Sequence, residues 1–288
     1  MSIVDQTIRE TYASEVAVYG GVKSEALLRA YAAVPRERML PRGPWVVEAL
    51  DGSYYVTDDA DVSRILHAVG VSIDPKRQLN SGNPAEVGRI LEEARFEPGE
   101  TVFHVGAGLG YFSAIMAEMV GASGRVIAAE VDPVLAWRCR INLEPWQQVE
   151  VVGDALACSL PPVDVIFVST GIARIPASWL DVLRPGGRLI FPLTGSLNGG
   201  FIFRIEKGAS ASWLSAKPLN FARFYPCLGA RDPAALSAID QAIADPRGSH
   251  VRSLRLDAHA PQPDCWLHSD GWCLSTAAND HSDRTEPS

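Results

Sequence analysis

The chain has 288 residues, of which 47% are hydrophobic and 21% charged, and its formal net charge is −8. This length and composition predict one large globular domain, with at most a small appendage. The acidic balance argues against a protein that binds nucleic acid or an anionic membrane. The first residues form neither a basic n-region nor an apolar h-region, and no apolar run reaches the roughly 18 residues of a membrane span. We therefore predict a cytoplasmic protein.

Helical periodicity predicts helices near residues 5–18 and 23–33 and another at 85–96, with a short strand at 53–56. Strands and helices then alternate. The predicted strands are 101–105, 125–130, 148–152, 163–169 and 187–193, and the predicted helices are 111–121, 133–142, 154–159 and 176–183. Further strands at 200–205 and 221–226, a helix at 233–244 and short strands within 251–256 and 265–274 follow.

Several of these strands are continuous apolar runs, as is typical of parallel strands covered on both faces. The alternation predicts an α/β fold with a Rossmann-like, doubly wound, mostly parallel sheet. Antiparallel edge strands, N-terminal helices and a small C-terminal extension complete the predicted fold.

The five cysteines form no C-x-x-C pair, and their odd number favours reduced thiols. Cys265 and Cys273 flank a stretch rich in Trp and His, but the spacing of the two cysteines matches no familiar zinc site. The sequence therefore predicts no metal site. The stretch itself, with Trp266 and Trp272, is expected to form a packed hairpin or to cover a pocket, and packing is favoured because tryptophan is usually buried.

A glycine loop, Gly106-Ala107-Gly108-Leu109-Gly110, follows the strand at 101–105 and precedes a helix. Glycine in such a turn lets the backbone approach a ligand closely. A dinucleotide fingerprint, G-x-G-x-x-G, would require glycine at position 111, where this chain has Tyr111. The spacing favours S-adenosylmethionine over NAD, although a glycine loop alone is equally compatible with a structural turn.

Two acidic positions strengthen the nucleotide interpretation. Glu130 ends a strand 24 residues after Gly106, where an acid accepts the ribose hydroxyls of a nucleotide, and Asp132 is the nearby alternative. The alternative is that Glu130 only caps the following helix. Asp154 follows the next strand and either accepts a hydrogen bond from the adenine amino group or caps a helix.

The order of these elements, continued by LRPGGRL at 183–189, resembles class I S-adenosylmethionine-dependent methyltransferases. More narrowly, VPRERMLP at 34–41, Pro98-Gly99, Gly110-Tyr111 and GRLIFP at 187–192 resemble the protein-L-isoaspartate O-methyltransferase group, over roughly residues 20–206. The resemblance implies an S-adenosyl-L-methionine cofactor. The cofactor-binding residues that it predicts are His104, Gly106, Ala107, Gly108, Gly110, Tyr111, Glu130, Asp154 and Ala155.

Two positions depart from the pattern of this group. His104 stands where the group usually has Glu or Asp, so it either replaces that acid as a neutral acceptor or is a packed core histidine. The Ser-x-Pro segment of the group aligns with Ser81-Gly82-Asn83-Pro84. Gly82 therefore takes the serine position, and Ser81 and Asn83 are the predicted contacts on the acceptor side.

We predict a substrate-side segment at 1–84, a cofactor domain at 85–230, an extension at 231–276 and a disordered tail at 277–288. The expected reaction is O-methylation of a carboxylate in a peptide, protein or small molecule. A carboxylate is already ionised at neutral pH and needs no general base. The alternatives are O- or N-methylation of a small natural product, and a catalytically silent interaction module that binds S-adenosylmethionine. No nucleic-acid or membrane partner is expected.

Overall fold

The computed structural model describes residues 6–49, 53–208 and 212–278. They divide into two compact units: the first comprises the described residues within 1–100 and 107–153, and the second comprises those within 101–106 and 154–288. The fourfold division expected from the sequence stays a prediction. From residue 279 onward, the predicted tail lies outside the described residues.

The described helices are α1 (Gln6–Gly20), α2 (Glu25–Ala33), α3 (Arg36–Met39), α4 (Pro84–Ala94), α5 (Tyr111–Val120), α6 (Pro133–Leu143), α7 (Ala177–Val182) and α8 (Pro233–Ile243). The described strands are β1 (Val46–Glu48), β2 (Tyr54–Val56), β3 (Gly70–Asp74), β4 (Leu79–Asn80), β5 (Thr101–Val105), β6 (Arg125–Ala129), β7 (Val149–Val152), β8 (Val163–Val168), β9 (Leu183–Thr194), β10 (Gly199–Glu206), β11 (Trp213–Arg223), β12 (Ser253–Arg255), β13 (Cys265–Ser269) and β14 (Trp272–Ser275). None of the helices in these residues is long and apolar enough to cross a membrane.

The first unit combines the N-terminal helices with two small pieces of sheet. Strands β2, β1, β3 and β4 form an antiparallel sheet in that order. Strands β6 and β7 pair in parallel and are connected through α6. Val47 and Val71, both fully buried, anchor a core that includes Leu109 of the glycine loop and Leu135 of α6. This core fixes one side of the loop.

Three helices begin with an Asx-Pro pair, which explains why the sequence places their starts well. Asn83, Asp132 and Asp232 each precede a proline and accept hydrogen bonds from backbone amides of the first turn. The side-chain oxygen satisfies amides that have no partner within the helix, and proline at the first position needs no such partner.

The second unit contains a sheet in the order β13-β14-β12-β11-β10-β9-β8-β5. Strands β5, β8 and β9 are parallel neighbours, whereas all pairings beyond β9 are antiparallel. The α/β class and the antiparallel edge are confirmed. The antiparallel part is larger than predicted because β12, β13 and β14 extend it.

The predicted helix at 154–159 is wrong. A turn replaces it, in which the Asp154 carbonyl accepts from the amides of Ala157 (3.2 Å) and Cys158 (3.1 Å). Pro161 and Pro162 follow directly, and residues before proline are pushed out of the helical region. The segment therefore has room for one turn only.

The hairpin expected near Trp266 and Trp272 is present as β13 and β14. Trp266 is buried, and its ring lies 5.7 Å from the rings of Phe201 and Phe203 on β10. Packing, the favoured interpretation of this stretch, is what the structure shows.

Candidate functional site

Of the glycine loop, Ala107 to Gly110 belong to the first unit. The Ala107 amide donates to the Ala129 carbonyl (3.0 Å), and the Gly110 amide donates to the Ala107 carbonyl (2.9 Å). Gly108 has a φ of +56°, and a Cβ built on it would meet no heavy atom within 4 Å. The loop thus presents one open stretch of backbone just before α5, in a conformation that favours glycine.

Glu130 follows β6 and is tied directly to this loop. Its Oε2 accepts from the Gly108 amide (2.7 Å) and its Oε1 accepts from the Asp132 amide (2.9 Å). The residue is only 8% exposed, and burial raises the pKa of its carboxyl. Asp132, not Glu130, caps α6. Each Glu130 oxygen keeps a second lone pair, so the carboxylate holds the loop and can still accept from a ligand.

His104 lies on β5 in the second unit. It is fully buried, its Nε2 is 2.9 Å from the Ser169 hydroxyl, and its ring lies edge-on to Phe167. Burial lowers the pKa of His104 to about 3. The imidazole is therefore neutral at physiological pH.

Because the fold holds His104 in its neutral form, the free energy of unfolding is expected to decrease as the pH falls. His titrates near pH 6.5 in an unfolded chain but at about 3 in this fold, so the unfolded state binds more protons between these values. The resulting stability is fully present above about pH 6.5 and is lost as the pH falls toward 3. We expect a loss of about 2 kcal/mol between pH 7 and pH 5. Urea unfolding at both pH values should show a smaller difference for His104→Gln than for the wild type. The exposed His250→Gln is the control, and equal differences for all three proteins would contradict the prediction.

Gly106 directly follows β5, and its position also requires glycine. Its φ is +78°, and a Cβ there would lie 2.5 Å from Cγ2 of Thr170. A side chain would be strained by the backbone and would collide with this neighbour. The first glycine of the loop is therefore fixed by packing as well as by its backbone conformation.

Asp154 and Ala155 begin the turn that replaces the predicted helix. The Asp154 side chain is exposed, and its Oδ1 accepts from the Leu156 amide (2.9 Å). The Ala155 carbonyl accepts from the indole N–H of Trp179 (3.4 Å). The Asp154 side chain therefore closes a turn and caps no helix, and its adenine contact stays a prediction.

Tyr111, the first residue of α5, points its side chain into the N-terminal helices. Its hydroxyl is 2.8 Å from that of Tyr12, and Arg36 lies over both rings at 5.8–5.9 Å from their centroids. The side chain is 4% exposed. The Tyr111 side chain therefore packs the first unit, and its predicted contact with the cofactor stays a prediction.

Ser81 and Asn83 both have structural partners. The Ser81 hydroxyl accepts from the Val71 amide (3.1 Å) and from Arg36 (3.2 Å). Asn83 caps α4 through its Oδ1 and donates from Nδ2 to the Ala68 carbonyl (2.9 Å). Both side chains hold the backbone on either side of Gly82, and a contact with the acceptor stays a prediction.

Gly82 adopts a φ of +71°, and a Cβ there would lie 3.2 Å from Cε2 of Phe112. Placing serine at this position would therefore strain the backbone and press on a neighbouring ring. The departure from the Ser-x-Pro pattern is part of the local fold and is not a simple exchange of one side chain.

Of the predicted residues, the structure brings Gly108 and Glu130 into direct contact in the first unit. In the second unit His104 and Asp154 have separate partners, Ser169 and the Leu156 amide. Sequence reasoning missed the buried Arg36, because arginine is normally a surface residue. It also missed a cluster of two histidines and two cysteines near the C-terminal hairpin.

The sequence profile of the protein-L-isoaspartate(D-aspartate) O-methyltransferase family matches residues 9–231. A protein-L-isoaspartate O-methyltransferase of Methanopyrus kandleri is 32% identical over 191 residues, covering 64% of this chain and 76% of that relative. A solved protein-L-isoaspartate O-methyltransferase superimposes with a TM-score of 0.65 at 24% identity, covering 81% of this chain and 69% of its own. A Plasmodium falciparum structure assigned to the same activity, in complex with S-adenosyl-L-homocysteine, gives 0.59 at 15% identity and covers 76% and 97%. The two structures show a shared fold.

Proposed function

The chain belongs to the protein-L-isoaspartate(D-aspartate) O-methyltransferase family, and from this premise we propose that it methylates a carboxylate of a peptide or protein. The match over residues 9–231 is the observation that carries the proposal. The family confirms the predicted enzyme class, an S-adenosylmethionine-dependent methyltransferase, and the predicted cofactor.

The proposed cofactor residues are those that the sequence predicts: His104, Gly106, Ala107, Gly108, Gly110, Tyr111, Glu130, Asp154 and Ala155. The contact between the Gly108 amide and Glu130 supports this assignment, because it joins the open loop to the acid expected to accept the ribose hydroxyls. We propose that Ser81 and Asn83 act on the acceptor side by holding the backbone of the 81–83 segment.

The chemistry needs little from acidic or basic side chains. The sulfonium of S-adenosylmethionine supplies an activated methyl group, so the task of the protein is to align the acceptor for displacement. Such alignment can lower a barrier by roughly 7–11 kcal/mol. A carboxylate acceptor is ionised at neutral pH and attacks without a base. Neutral, buried His104 agrees with this, because it is unsuited to take up a proton at neutral pH.

A labelling experiment tests the proposed reaction. The protein is incubated with methyl-labelled S-adenosylmethionine and either an isoaspartyl peptide or the same peptide with an ordinary aspartyl residue. We expect base-labile label, as a methyl ester gives, on at least one peptide. In parallel incubations with small hydroxyl or amine compounds in place of the peptide, base-stable label would favour the natural-product alternative. Cofactor binding without transfer to any acceptor would favour the silent module.

Substituting the open glycine of the loop should weaken cofactor binding more than stability. Gly108 and Gly121 both have positive φ, +56° and +68°, and a Cβ at either would meet nothing within 4 Å. Alanine at Gly108 should therefore cost a backbone strain of about 1 kcal/mol, and alanine at Gly121, whose ψ of −175° lies in a region nearly restricted to glycine, should cost at least as much. Only Gly108→Ala is expected to reduce affinity for S-adenosylmethionine, by about tenfold or more, because its methyl group occupies the space of the ligand. Calorimetric titration of both variants checks this, and equal affinities would contradict the proposed site.

A further inference from the structure

Two histidines and two cysteines in the C-terminal part of the chain converge on one point. The potential ligand atoms of His259, Cys265, His268 and Cys273 all lie within 4.8 Å of one another. These residues lie beyond the family match, which ends at residue 231. They also take no part in the proposed methyl transfer.

The fold of the β13–β14 hairpin creates this convergence. His268 and Cys273 are directly opposite each other across the hairpin. Cys265 lies at the start of β13, where the register shifts before Leu267, and such a bulge changes the direction of a side chain. His259 comes from the connection between β12 and β13, and its ring lies 4.9 Å from that of His268. Three separate segments of the chain therefore supply the four groups.

The surrounding contacts resemble those around metal ligands. His259 places its Nδ1 2.8 Å from the Asp257 carbonyl oxygen and 3.3 Å from the Asp257 carboxylate, while its Nε2 lies 3.5 Å from Sγ of Cys265. A histidine that binds a metal normally donates its other ring N–H to such an oxygen, which fixes the ring and the tautomer. The second nitrogen of His259 is thereby directed at the cluster.

Two further observations involve Cys265 and His268. The Gln262 amide donates to Sγ of Cys265 (3.3 Å). Nδ1 of His268 is shielded from solvent and has no hydrogen-bond partner among the described residues. A buried polar atom without a partner is costly, and a bond to a metal ion would satisfy it.

We propose that His259, Cys265, His268 and Cys273 bind one zinc ion in a structural site. Two thiolates and two imidazoles suit Zn²⁺. Mg²⁺ and Ca²⁺ prefer oxygen ligands, and these four residues supply none. Tetrahedral zinc places such ligand atoms roughly 3.3–3.8 Å apart, so the four groups need to close by about 1 Å. Four protein ligands leave no open position, which is typical of structural and not of catalytic zinc.

The ligand spacing also explains why the sequence did not predict the site. The order is His, five residues, Cys, two residues, His, four residues, Cys. A comparison limited to pairs of cysteines finds no familiar spacing, whereas the Cys265–His268 and His268–Cys273 intervals lie within the range of short zinc motifs. Including histidine in the pattern would have given the signal.

Metal analysis of the full chain, prepared without a histidine tag and after gel filtration, tests the proposal. We expect about one zinc ion per chain in the wild type. His259→Gln and Cys273→Ser should each lose most of it, whereas the exposed His250→Gln control should keep it. Reconstitution of the wild-type protein with Co²⁺ should give the visible bands of tetrahedral coordination with thiolate-to-metal charge transfer. This readout does not depend on whether the cysteine variant folds.

The thiols provide the opposing outcome. Cys265 and Cys273 are free in the structure. If mass analysis without reductant shows a disulfide between them, or if the reduced wild type binds neither Zn²⁺ nor Co²⁺, the proposal is wrong. Loss of zinc should lower the melting temperature while methyl transfer is measured separately, so failure of the zinc site and failure of the proposed reaction are distinguishable.

Discussion

Replacing Arg36 with methionine is expected to lower the free energy of unfolding by about 3–5 kcal/mol. Arg36 is 1% exposed, and its guanidinium donates to the carbonyls of Ile65 (2.5 Å), His67 (3.1 Å) and Val69 (2.6 Å) and to the Ser81 hydroxyl (3.2 Å). Methionine would fill the volume but leave the Ile65 and Val69 carbonyls without a donor, whereas the His67 carbonyl and the Ser81 hydroxyl keep the amides of Val69 and Val71. Each buried unsatisfied group costs about 1–3 kcal/mol. Urea denaturation measures the change.

Two further variants make the Arg36 prediction specific. Arg36→Lys should be nearly as destabilised as Arg36→Met, because one ammonium group cannot reproduce the planar set of donors. Arg29→Met removes an exposed arginine whose partner, Glu25, is also exposed, and should change stability by less than about 0.5 kcal/mol. If Arg36→Lys is as stable as the wild type, the hydrogen bonds of the guanidinium do not account for the contribution of Arg36 to the free energy of unfolding.

Replacing Glu130 with alanine is expected to weaken S-adenosylmethionine binding by about 100-fold. Hydrogen bonds to a charged acceptor contribute about 1.5–3 kcal/mol each, and two ribose hydroxyls would lose their acceptor. A loss of about 2.8 kcal/mol corresponds to that factor. Alanine also removes the acceptor of the Gly108 amide, which frees the loop that Glu130 now holds. Calorimetric titration with S-adenosylmethionine measures the affinity.

The Glu130 prediction has a graded variant and a surface control. Glu130→Gln keeps one acceptor oxygen and should lose about tenfold. Glu150→Gln removes an exposed carboxylate on the neighbouring strand, whose partner is Arg125 (2.5 Å), and should leave affinity unchanged. If Glu130→Ala binds the cofactor as the wild type does, the proposed ribose contact is wrong.

The alternating part of the chain could be predicted from sequence because its signals are local. The strand at 101–105 was predicted to the residue, and the predicted helix at 111–121 is α5 with one residue fewer. The small sheet of β1, β3 and β4 was not predicted. These strands have two to five residues and depend on pairing with distant neighbours, as Val47 does with Val71. Local pattern carries little information about such strands.

The residues of the candidate site divide in the same way, into those with a local sequence signal and those whose role depends on distant contacts. Glu130 was found by its spacing from the loop, and its contact with Gly108 agrees with that expectation. The packing role of Tyr111 could not be predicted, since it depends on which helices pack together, whereas the capping role of Asn83 follows from the local Asx-Pro pair. The spacing of Cys265, His268 and Cys273 carries a signal for a zinc motif, but the convergence of these residues with His259 depends on a bulge and on the path of a loop.

The last three strands also change what would happen if the chain were shortened to the part that matches the family. Strand β12 pairs with Trp213 to Ser215 of β11, and β14 and β13 continue the ladder outward. A chain ending near residue 231 would leave those backbone groups of β11 without partners. Unpaired strand groups of this kind recruit strands from other molecules. The C-terminal strands therefore cover the edge of β11 and prevent it from pairing with other molecules. A shortened version is expected to aggregate before its methyl transfer can be measured.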